Sequence, residues 1–157
     1  MDNSKKDELD RLGSALYACV RVTKRSAYWD EIRRRSGVNL DRPGAYILML
    51  LGKEPCQFRD LVNRLGVEAP AVSRKVHDLE AAGLIMRRPA QDRRVHLLAL
   101  SDSGRAAADS IKSARRDMLS QVLSGWTAGD RRQLSELLIR LSEDLDRNFS
   151  QKELSKP

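Results

Sequence analysis

A chain of 157 residues that is 41% hydrophobic but only 4% aromatic has the length of one ordinary domain, and its composition suits helices packed through Leu, Val and Ala. A formal net charge of +7 asks for an acidic partner, and two cysteines are too few for a disulfide framework or a zinc site.

Taken in order, residues 6 to about 35 read as one long helix, with Leu9, Leu12, Leu16, Cys19, Val20 and Thr23 tracing an apolar seam at three-and-four spacing. The seam needs a cover, either from the same chain or from a second subunit. Cys19, lying on it, reads as a small buried hydrophobe rather than a sensor. Three arginines complement the end of this helix, and Gly37 can stop it. Asp41 then caps a second helix with Pro43 in its first turn and residues 45–51 as its buried body. The turn that follows leaves Cys56 exposed.

Residues 58–65 form a short helix with Leu61 and Leu65 inward, and Gly66 supplies a turn into the next. In that next helix Val72, Val76 and Leu79 fall on one side. Pro70, Ala71, Ser73, Arg74 and His77 fall on the other, a small, polar, cationic face that can enter a major groove because nothing bulky holds it off. Gln57 and Glu68 stand at the two helix starts, where neither caps well, at a cost of about 1 kcal/mol or less. Beyond Gly83 the pattern becomes extended. Leu84, Ile85 and Met86 lead into Arg87 and Arg88, residues 89–94 make a polar turn that carries Arg93 and Arg94, and residues 95–100 return as a second strand. Four arginines on one hairpin repel each other unless a polyanion is near, whereas the plainer reading is a solvated charged turn. His96 shares strand parity with Leu98 and Leu100, which predicts partial burial.

Ser101 caps the following helix, whose apolar stripe reads Ala107, Ile111, Ala114, Met118 and Val122. Ser124 and Gly125 break it. Thr127 and Asp130 then form a capping box, and the last helix runs to about residue 149 with Leu134, Leu137, Leu138, Leu141 and Leu145 on one side, a stripe more easily buried in a dimer than in a monomer. The fold class is therefore mainly α with a small β-hairpin wing.

The spacing Asp92, Arg94, Leu98, Leu100, Ser101, Gly104, preceded by Leu61, Leu65, Gly66, Val72, Ser73, Arg74, Leu79, Glu80, Gly83 and Leu84, resembles the signature of the multiple-antibiotic-resistance regulator (MarR) family of winged-helix repressors. The resemblance implies one domain over residues 1–157, with a winged helix-turn-helix at about 41–100 and dimerisation helices at about 5–36 and 102–149. It implies a homodimer on double-stranded DNA at a pseudo-palindromic operator, covering the first helix with the last two of the other protomer. Arg94 would enter the minor groove, Asp92 would orient it, and Ser73 and Arg74 would contact DNA from the recognition helix. Members often bind lipophilic or phenolic acids near the first, second and fifth helices, so Tyr17, Trp29, Tyr46, Met49 and Arg115 are the candidate effector residues. A peroxide-sensing branch carries a cysteine where this chain has Gly13, which argues against that chemistry here.

Other classes find little support. There is no nucleophile elbow or glycine-rich phosphate loop, and the two separated histidines lack ligands at metal spacing, so no catalytic site, metal or cofactor is expected. The longest apolar run, residues 45–51, is too short for a bilayer, and the N-terminal stretch has no apolar signal region. These features predict no membrane contact and residence in the cytoplasm. The alternative to an operator-binding repressor is a winged-helix protein-interaction module without ligand response.

Overall fold

The computed structural model describes residues 3–90 and 96–153. The long N-terminal helix of the sequence reading is two helices, α1 (Asn3–Thr23) and α2 (Ser26–Ser36). Between them Arg25 adopts an extended backbone, and the Trp29 indole Nε1 donates to the carbonyl of Thr23 at 2.9 Å. That side-chain bond takes up a carbonyl a continuous helix would have used, and in return Trp29 and Ile32 become buried, at 6% and 2% exposure. Periodicity was blind to the break because both halves keep helical spacing.

Gly37 ends α2 in the left-handed conformation, φ 68°, with its N–H donating to the Arg33 carbonyl, which is the stop that glycine alone adopts without strain. Asp41 caps α3 (Arg42–Leu51) by accepting the Gly44 N–H at 3.0 Å. The helices α4 (Phe58–Leu65) and α5 (Ala69–Ala81) follow, joined through Gly66 at φ 62°. Then come the antiparallel strands β1 (Ile85–Pro89) and β2 (His96–Leu100), in a register that sets Ile85 opposite Leu100 and Pro89 opposite His96.

The core of this first compact unit, which extends to Arg116, gathers Ile47 and Leu48 of α3, Leu61 of α4, Val76 and Leu79 of α5, and Leu98 of β2, all at 1% exposure or less. Burial of such side chains contributes about 1.5–3 kcal/mol each. Two expectations are corrected here. Cys56 is buried, because its N–H and carbonyl bond to the carbonyl and N–H of Leu98 at 3.1 and 2.8 Å, adding a one-residue bridge beside β2. His96 is exposed, since burial along β2 follows depth from the wing's free end and not strand parity: Leu98, Ala99 and Leu100 are all buried.

Helix α6 (Asp102–Val122) is capped as the sequence implies, with the Gly104 N–H donating to Ser101 Oγ at 3.0 Å. Its buried stripe is Gly104, Ala108, Ile111 and Ala114, one residue off the expected start, with Ala107 half-buried and Val122 exposed. The reason is Gly104: a Cβ there would run into the main-chain carbonyl of Leu84, so this close approach fixes which face of α6 turns inward. The second compact unit begins at Asp117 and contains α7 (Ala128–Glu153). Thr127 and Asp130 form the expected box, each side chain accepting the other's main-chain N–H at 3.2 Å or less. Along α7, Leu137, Leu138, Ile139, Leu145 and Phe149 are exposed. Helix α1 buries no residue either, so Cys19, expected within a seam, is exposed on the single chain.

Candidate nucleic-acid interface

Helix α5 divides its residues cleanly. Val72, Val76 and Leu79 anchor it at 2% exposure or less, and Pro70, Ala71, Ser73, Arg74 and His77 are all exposed. Neither Gln57 nor Glu68 makes a side-chain cap bond, as their chemistry predicts; the Glu68 carbonyl instead receives the N–H groups of Ala71 and Val72. Among the described residues Arg74 makes no ion pair, which leaves its guanidinium available to an external anion.

The wing root is tied to the end of α5. Gly83, at φ 68°, turns the chain, and its carbonyl accepts from both Ser101 Oγ at 2.6 Å and Ser103 Oγ at 2.8 Å. Arg87 folds back as a two-pronged pair onto Glu80, Nε to Oε1 at 2.7 Å and Nη2 to Oε2 at 3.3 Å. Arg88 Nε donates to Met86 Sδ at 3.4 Å and the side chain is otherwise exposed. Asp92, Arg93 and Arg94 lie outside the described residues. A shallow hollow of about 520 Å³ between α5 and the wing root is lined by Ser73, Arg74, His77, Asp78, Glu80 and Arg87, so the structure gathers the sequence-chosen Ser73, Arg74, His77 and Arg87 along one concave edge, with the carboxylates of Asp78 and Glu80 beside them.

Three features had no signal in the sequence. One is the Glu80–Arg87 pair. Another is a groove of about 740 Å³ with Tyr46, Leu50 and Val67 among its apolar walls and Arg42, Arg64 and Arg74 among its cations. The third is the ion pair of Lys75 with Asp41 at 2.8 Å. Asp41 was legible as a cap, but nothing local pointed to a second duty.

The five candidate effector residues fall into smaller groups. Trp29 and Tyr46 pack with ring centroids 5.4 Å apart and planes tilted by 53°, with the Arg42 guanidinium 5.9 Å from the Tyr46 ring. Arg115 Nη1 approaches Met49 Sδ at 2.9 Å, beside a hollow of about 240 Å³ that Lys53, Asp109 and Lys112 also line. Tyr17 is 72% exposed on α1.

A helix pair joined by a tight glycine turn, followed by a hairpin packed against the second helix, defines a winged helix-turn-helix protein. Residues 38–95 match the MarR family. Over 88 residues the chain is 30% identical to the HTH-type transcriptional regulator YdgJ of Bacillus subtilis, a match covering 55% of this chain and 54%, about half, of that relative. The crystal structure of RV1404 from Mycobacterium tuberculosis superposes with a TM-score of 0.67 at 25% identity, covering 92% of this chain and 95% of that one. The transcriptional regulator BldR from Sulfolobus solfataricus does so with a TM-score of 0.66 at 26% identity, covering 88% and 97%. The winged helix-turn-helix segment of this chain is thus similar to that of the MarR family, and the relatives it resembles are named transcriptional regulators. Among the described residues no helix is long and apolar enough to cross a membrane, and no cluster of His, Cys, Asp and Glu could hold a metal ion.

Proposed function

We propose that the protein is a homodimeric transcriptional repressor that binds a pseudo-palindromic operator in the cytoplasm and is released by a small lipophilic or phenolic effector. The observation that carries the DNA contact is the exposed Pro70, Ala71, Ser73, Arg74 and His77 face of α5 beside an arginine-bearing hairpin. Small residues let the helix approach base edges, and Ser, Arg and His supply donors. Arg88, Arg93 and Arg94 of the wing add phosphate and minor-groove contacts, with Asp92 orienting Arg94, and Arg87 joins them when it exchanges Glu80 for phosphate. The role is binding, not catalysis. Dimerisation is supported by the apolar side chains left exposed along α1 and α7, Leu9, Leu12, Leu137 and Leu138 among them, which a second copy would cover. The effector would act at Met49 and Arg115 or at Trp29, Tyr46 and Tyr17, and only through a difference in its affinity for two dimer shapes.

The test is fluorescence anisotropy with a random duplex and with a duplex selected by the protein from a random pool, across a salt series. Selective binding that weakens steeply with salt is expected, and Arg94→Ala lowers affinity for the selected duplex by about 1–3 kcal/mol while the dimer stays folded. The Arg87–Glu80 pair favours a second reading, a protein-interaction module, because it already neutralises one wing cation internally. Equal affinity for the two duplexes would decide for that reading.

A further inference from the structure

Asp41 stands at the start of α3 and Lys75 in the middle of α5, 34 positions later, and one carboxylate serves both helices. Its Oδ1 accepts the Gly44 N–H at 3.0 Å, and its Oδ2 lies 2.8 Å from Lys75 Nζ. Lys75 is also 3.4 Å from Asp78 Oδ2, so two carboxylates face one ammonium whose side chain is only 27% exposed. Gly44 makes the room: a Cβ there would stand 2.9 Å from Asp41 Oδ1 and 3.7 Å from Leu79 Cδ2. Next to this restrained cation, Arg74 is exposed and makes no ion pair among the described residues.

With the Asp41 side chain 49% exposed, water screens this ion pair and it contributes little to stability. Its effect on recognition is another matter. An unrestrained ammonium on a helix entering a groove reaches the nearest phosphate of any duplex, adding affinity that carries no sequence information. We propose that Asp41 is a positioning residue that holds Lys75 away from phosphate and fixes the rotation of α5, so that the helix meets DNA through Ser73, Arg74 and His77. The inference rests on the DNA-binding reading above. Burial of Asp41 opposes its ionisation, but the bonds from Lys75 and Gly44 outweigh it and hold the carboxyl below its usual range, consistent with a carboxylate that stays charged and engaged.

The experiment compares wild type, Asp41→Asn, Lys75→Met and the double variant on the random and the selected duplex by anisotropy across a potassium chloride series. Asn keeps a side-chain oxygen for the Gly44 N–H, so the cap survives while the charge goes. Asp41→Asn is expected to bind the random duplex about threefold more tightly, with a salt dependence steeper by about one unit of log–log slope, and to lose part of its preference for the selected duplex. Lys75→Met leaves random-duplex affinity and slope unchanged, and in the double variant it returns both to wild type. The proposal is overturned if Lys75→Met alone flattens the slope by about one unit, for then Lys75 already contacts phosphate, a result that decides even if Asp41→Asn fails to fold. It is equally overturned if Asp41→Asn matches wild type on both duplexes while wild type still discriminates between them. A wild type that binds neither duplex removes the DNA-binding reading itself, and this inference with it.

Discussion

Two single residues carry consequences out of proportion to their size. Gly104 sits in the first turn of α6 where any side chain would meet the Leu84 carbonyl, and that same carbonyl accepts the Ser101 N–H at 3.1 Å. Gly104→Ala must push α6 and the wing root apart, with an expected loss of about 1–3 kcal/mol or more, measured by urea denaturation. Cys56 is the other. Burial pushes its thiol above the usual cysteine range, and this outweighs the Arg64 charge nearby. A thiol that is buried and protonated reacts slowly, so in the native protein Cys56 should resist Ellman's reagent and titrate only in denaturant. Rapid native labelling of a Cys19→Ser variant would contradict the placement of Cys56 beside Leu98.

At the scale of elements, Glu68 starts α5 without a side-chain cap. Serine there can accept one of the free N–H groups, so Glu68→Ser is expected to stabilise the protein by about 1 kcal/mol, read as a higher denaturation midpoint. This weakness could be read in the chain before any coordinates, as could the caps at Asp41, Ser101 and Thr127 and the stop at Gly37, because each depends on residues within a few positions of each other. The exposed face of α5 was legible for the same reason: it follows from the residues that must be buried. What was not legible depends on distant partners. The break between α1 and α2 comes from the Trp29 indole reaching back to Thr23, the burial of Cys56 from a main-chain exchange with Leu98, and the shifted stripe of α6 from the approach of Leu84 to Gly104. Charge partnerships were invisible for similar reasons, since Glu80 and Arg87 meet only because the chain turns between them at Gly83.

For the whole molecule, the exposed leucines of α7 are the point of leverage. Leu138 is 47% exposed on the single chain, so Leu138→Glu should leave the protomer's own core intact. If a second copy covers α7, the buried, unpaired carboxylate splits the dimer, and sedimentation velocity should show a monomer with unchanged helical content and weakened binding to the selected duplex. A variant that stays dimeric would place the contact elsewhere.

The Cys56–Leu98 bridge changes what the hairpin can do mechanically. A two-stranded arm attached only at Gly83 and Ser101 would swing independently of its base. Here the inner strand is also moored to the segment entering α4, through two main-chain bonds. A displacement of β2 is thus handed through main-chain bonds to the segment entering α4, so the hairpin and the front of the helix pair are expected to move together.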